Sequence, residues 1–234
     1  MKAQIPWLRV FVEGVVIVAS ILLAFGLQAW WESAQEGAVV ERQLTVLQVE
    51  MASNSSVLEN ASSFQDRALA ATRVLVELIA PQPVPVSADS LSSLLGWSFS
   101  IGTAEAELEL GALDALLSSG EFGTSSRGDL YSSIVAFRAR TEVYRNLVAL
   151  YIEASETLIN YLVTVAPMAA VSALTEAHGP TDFPVPVDDL LQDRQLEGLV
   201  GTLAVRIRNV NVLAQELIAR ADSIRVLLAS DGAT

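Results

Sequence analysis

At 234 residues, with 52% hydrophobic side chains and a mean hydropathy of +0.44, the chain has room for an anchor segment plus one domain built on a single core. A net charge of -13, from 14 basic against 27 acidic residues, opposes phosphate backbones and argues against nucleic acid as a partner. The absence of cysteine excludes a disulfide-stapled fold, a thiolate zinc site and a cysteine nucleophile.

The first element is apolar. Residues Gly14 to Trp31 carry no formal charge and would give about 27 Å of helix, close to the roughly 30 Å of a hydrocarbon core. Trp7 before the run, and Trp30 and Trp31 after it, occupy the places of interfacial anchors. The sequence therefore predicts residues 1–31 as a cytoplasmic N-terminus and transmembrane anchor, with 32–234 as an acidic helical-bundle domain. Lys2 and Arg9 precede the run, and Glu32 and Glu36 follow it. That bias predicts a single-pass protein of the bacterial inner membrane, with its N-terminus cytoplasmic and its main domain periplasmic. A cleaved signal peptide is the competing reading, but no clear small-x-small cleavage site follows the run.

Glu13, Ser20, Ala24 and Gln28 fall on one helical face and make a small, polar stripe along the span. One reading has Glu13 reaching the headgroups beside Arg9. The other makes the stripe a docking face for a neighbouring helix, where small residues permit close approach.

Beyond the anchor, helical periodicity recurs and strand alternation does not. Leu44, Leu47, Met51, Leu58, Leu69, Val74, Leu75 and Leu78 continue the first helix without a breaker as far as Pro81. Pro81, Pro83 and Pro85 predict an extended connector, after which Ser87 or Ser90 caps a short helix through Leu95. A further helix is expected over 104–118, closed at Ser119-Gly120. A long one starts near Ser126, with Leu130, Ile134, Phe137, Tyr144, Leu147, Tyr151, Ala154, Leu158, Tyr161 and Val165 on its stripe, and ends or kinks at Pro167. Residues 178–188 read as a loop. The last helix carries Leu196, Leu199, Leu203, Ile207, Val210, Leu217, Ile224 and Leu228. The predicted fold is all-α: a transmembrane helix continuing into an antiparallel helical bundle.

Two motifs carry a resemblance. The span that begins at Glu13 closes in Leu27-Gln28-Ala29-Trp30-Trp31-Glu32, and a later helix ends in Leu116-Leu117-Ser118-Ser119-Gly120-Glu121-Phe122-Gly123. With the continuation from Leu130-Tyr131 to Tyr144-Arg145, the chain resembles a broad group of small bacterial single-span inner-membrane proteins of uncharacterised function. It departs from that group in having Trp31 where a basic residue is common. The resemblance implies an N-terminal anchor and a helical extracytoplasmic domain, and it implies no chemistry.

No catalytic constellation emerges. His178, the one histidine, precedes Gly179-Pro180 and reads as a loop residue. Glu105, Glu107 and Glu109 alternate at what reads as a solvated helix start and do not converge as metal ligands. Tyr144, Tyr151 and Tyr161 share a face, expected to pack in the core with hydroxyls at the rim. No catalytic, cofactor-binding or metal-binding residue is expected, and no cofactor.

The functional expectation is a non-catalytic accessory or structural subunit of a larger membrane complex, docked through its first helix and its bundle. Its partners would be other membrane subunits and the lipid bilayer, with a homo-oligomer as a further option. The alternative is a membrane-anchored, periplasmic ligand-binding or sensor-like bundle, which would require an apolar pocket with a few converging polar groups.

Overall fold

The structure, a computed structural model, describes residues 7–79, 85–98, 107–119, 128–165 and 187–231. Within the first helix the side chains of 7–17, 19, 29, 32–34, 36 and 38 lie outside the described residues. Six helices are described: α1 Trp7–Leu78, α2 Ala88–Ser98, α3 Gly111–Ser119, α4 Gly128–Val165, α5 Val187–Leu191 and α6 Arg194–Asp231. Among the described residues there is no strand, and the fold is an all-α helical bundle. The chain divides into two compact units, Met1–Leu47 and Gln48–Thr234.

In the second unit, three helices bury one row each with steps of three and four in strict alternation. On α1 the row is Met51, Asn54, Leu58, Ala61, Gln65, Ala68, Thr72 and Leu75. On α4 it is Leu130, Ile134, Phe137, Thr141, Tyr144, Val148, Tyr151, Ser155, Leu158 and Leu162. On α6 it is Leu196, Val200, Leu203, Ile207, Val210, Ala214, Leu217, Ala221, Ile224 and Leu228. A seven-residue period of this kind keeps one seam facing its neighbours over many turns. α4 and α6 pack on each other, joined also by Arg140 to Glu216 at 3.1 Å and by the Tyr161 hydroxyl donating to Asp193. α1 reaches α6 through Ser55 to Asp222 at 3.5 Å and Ser62 to Asn211 at 2.6 Å.

The caps explain the boundaries. Ser87 Oγ accepts the Ser90 N–H at 3.2 Å and starts α2. Asp193 Oδ1 accepts the N–H groups of Gln195 at 2.7 Å and Leu196 at 3.4 Å and starts α6. The expected helix over 104–118 is corrected: α3 begins only at Gly111, and Glu107 and Glu109 precede it in a non-helical segment. The reason is tertiary, because the N-terminus of α3 takes its cap from α1 rather than from its own sequence. The expected loop over 178–188 also shortens, since Val187 and Asp188 already belong to α5.

The expected membrane location does not survive. Among the described residues no helix is long and apolar enough to cross a membrane, which corrects the single-pass inner-membrane placement with a cytoplasmic N-terminus and a periplasmic domain.

Candidate docking surface and polar interior

The sequence-predicted site residues fall on the N-terminal part of α1. Ser20, Ala24 and Gln28 are exposed, as are Trp30 and Trp31, while the side chains of Trp7 and Glu13 lie outside the described residues. Exposure is not confined to the polar stripe. Every described side chain from Val18 to Trp31 is exposed, so the apolar surface runs round the helix. Eight of these are large hydrophobics: Val18, Ile21, Leu22, Leu23, Phe25, Leu27, Trp30 and Trp31, with Leu23 at 71% and Leu22, Phe25, Trp30 and Trp31 each at 66%. An isolated exposed leucine is ordinary, but a contiguous exposed group of this size is not. A Cβ added at Gly26 would meet nothing within 4 Å, so that surface has room for a partner's side chains.

The second feature is a run of polar groups inside the bundle, most of them from α1. Glu50 is 6% exposed, and its carboxylate accepts two N–H groups of α3, Ala112 at 2.7 Å and Leu113 at 3.1 Å. A carboxylate at that position also meets the positive end of the helix dipole. Burial pushes the Glu50 pKa up; the two backbone hydrogen bonds pull it down, and the nearby charges of Glu109 and Asp114 raise it further. One turn on, Asn54 grips the backbone of Glu109 from both sides, donating to its carbonyl at 2.7 Å and accepting its N–H at 2.9 Å. Glu50 and Asn54 thus clip residues 109–113 to α1. Asp114 continues the connection by accepting from Arg138 of α4 at 2.8 Å.

Further along, Ser62 donates to Asn211, whose amide donates in turn to Asp66 at 2.5 Å. Gln65 and the Tyr144 hydroxyl face each other, yet both amide atoms and the hydroxyl are buried without a hydrogen bond. Tyr144 and Tyr151 are fully buried rather than reaching the rim, and only Tyr161 meets the expectation of a rim hydroxyl, through Asp193. Burial pushes the Tyr151 phenol up to about 12, with Ser155 pulling slightly the other way.

His178 and Glu105 lie outside the described residues, and among those described no group of three or more His, Cys, Asp or Glu could hold a metal ion. An open hollow of about 420 Å³ between α1 and α2 is lined by Arg67, Ala70, Ala71, Val74, Leu94 and Trp97. Arg67 lies over the Trp97 ring at 5.4 Å, and Phe64 tilts against the same ring at 5.9 Å. This hollow lacks the converging polar groups that a small-molecule site needs to orient its ligand.

No family model matches the chain, and no curated protein or solved structure does. The class that fold and surface define is therefore a coarse one: an all-α bundle with an exposed apolar helical segment.

Proposed function

We propose that this protein is a non-catalytic accessory or structural subunit of a larger assembly, docked onto other protein subunits through the N-terminal part of α1. The observation that carries the reading is the exposure of every described side chain from Val18 to Trp31. Leaving such a surface in water costs about 25 cal/mol for each Å² that a partner would cover. Ser20 and Ala24 supply the small positions at which a partner helix approaches closely. The remainder of the chain acts as a scaffold. Its three long helices form an antiparallel bundle, a reading supported by the pairing of Tyr161 with Asp193, Arg140 with Glu216, Ser55 with Asp222 and Ser62 with Asn211. In each helix pair, the earlier residue of one meets the later residue of the other.

The chain has no cysteine, so single-cysteine variants give clean crosslinking. Ser20→Cys and Ala24→Cys, treated with a thiol-to-amine crosslinker in intact cells, should yield the same discrete heterologous adduct. That adduct should vanish when Leu23 and Phe25 are both replaced by Asp. Recovery of the uncrosslinked chain alone would overturn the reading. So would flotation of the purified chain with lipid vesicles in the absence of any protein adduct.

A further inference from the structure

The seven-residue period fixes which side chains point furthest from the bundle: those five residues after the first member of each buried pair separated by three. On α1 this outermost row is Ser56, Ser63, Ala70 and Glu77, and on α4 it is Ala139, Asn146, Glu153 and Asn160. Both rows are polar apart from one alanine each, as expected for helix faces in water. α6 breaks the pattern. Its outermost row is Val205, Val212, Ala219 and Val226, with the valines 56%, 61% and 68% exposed. α6 therefore carries two apolar seams on opposite sides, one buried in its own bundle and one with no described partner.

We propose that the outer seam of α6 is a self-association surface, on which a second copy of the chain lies antiparallel about a two-fold axis at Gln215. An antiparallel pairing about Gln215 brings Val205 and Val226 within one residue's rise of each other, and Val212 and Ala219 likewise, so the apolar row is nearly self-complementary. The flanking residues agree. Arg208 and Asp222 occupy the same edge of the seam, equidistant from Gln215, so each Arg208 meets the second copy's Asp222. Arg208 makes no ion pair among the described residues, while Asp222 is exposed and already pairs with Arg225 at 3.0 Å. On the other edge Glu216 falls near its own copy, but Arg140 and Arg220 hold it at 3.1 and 2.8 Å and offset the repulsion. A parallel pairing would face this edge of the seam with the opposite edge of the second copy, so Arg208 would not meet Asp222 and the charge match would be lost. Isologous two-fold contacts are the commonest route to a homodimer.

The proposal is independent of the docking assigned to α1, and its readout is specific to position. Under mild oxidation, Gln215→Cys should form a disulfide-linked dimer, because that residue meets its own copy at the axis. Val205→Cys alone should not, whereas the double variant Val205→Cys with Val226→Cys should. Adding Val212→Lys to Gln215→Cys should lower the yield about tenfold or more by placing charge in the seam. Arg208→Glu should also lower it, and Arg208→Glu combined with Asp222→Arg should restore it. All these side chains are exposed, so the variants should melt as the wild type does. Absence of the Gln215→Cys dimer, equal crosslinking by Val205→Cys alone, or an undiminished yield with Val212→Lys would each overturn the proposal.

Discussion

Glu50 is the residue at which removing one side chain most directly tests how the bundle is assembled. Glu50→Ala leaves the N–H groups of Ala112 and Leu113 without their acceptor, and each buried, unsatisfied donor costs about 1–3 kcal/mol. Relief of the buried charge offsets part of that loss, so a net destabilisation of about 1–3 kcal/mol is expected. For a chain of this size that lowers Tm by roughly 3–10 °C, measurable by circular dichroism at pH 7. The pH dependence gives a sharper check. The folded-state pKa of Glu50 lies above its ordinary value, so this group's favourable contribution is full at a pH below the ordinary carboxylate range. It is lost as pH rises through the folded value. Glu50→Gln cannot titrate. The stability difference, wild type minus Glu50→Gln, should therefore be largest in acid and shrink as pH rises above the ordinary carboxylate range. A difference that stays flat or grows with pH would refute the burial argument. An unchanged Tm in Glu50→Ala would refute the clip itself.

Three other outcomes follow from the interior. Asn54→Ala removes both bonds to the Glu109 backbone and should cost about 1–3 kcal/mol, most simply read from the urea midpoint. Gln65→Leu and Tyr144→Phe remove buried polar atoms that have no partner, so each should be neutral or stabilising by about 1 kcal/mol in chemical denaturation, and a loss of 2 kcal/mol would contradict the geometry. In a spectrophotometric titration, Tyr151 should ionise only near pH 12, leaving part of the phenolate absorbance undeveloped at pH 11. Because its folded pKa is raised, the stability it contributes is present below pH 10 and is lost as pH climbs through about 12.

How much of this was legible in the sequence depends on the side chain concerned. The leucines and aromatics at three-four spacing located α1, α4 and α6, and Pro81, Pro83 and Pro85 marked where α1 had to end. The polar members of the same buried rows were not legible. Asn54, Gln65, Thr72, Thr141 and Ser155 interrupt the apolar pattern, so the strict heptad emerged only when burial showed them facing inward. Glu50 was invisible for another reason. A side chain on α1 capping α3 across more than sixty residues leaves no local signature, and the same non-local cap explains the misplaced start of α3. Asp193, two residues before Gln195, is a cap readable in the sequence but lies outside the apolar row that locates the last helix. The outer valines of α6 form a second stripe on the same helix, which the period of its buried row does not reveal. Around Val18–Trp31, hydropathy found the apolar segment but could not fix its environment, and the membrane placement drawn from it did not hold.

Native mass spectrometry of the chain purified gently from its own cells, next to a variant carrying both Leu23→Asp and Phe25→Asp, tests the central claim most directly. The account predicts that the wild type retains one or more different protein subunits at fixed stoichiometry, and that the variant loses them with its bundle still folded. A wild type recovered free of any other subunit, or a variant that keeps the same subunits, would contradict it.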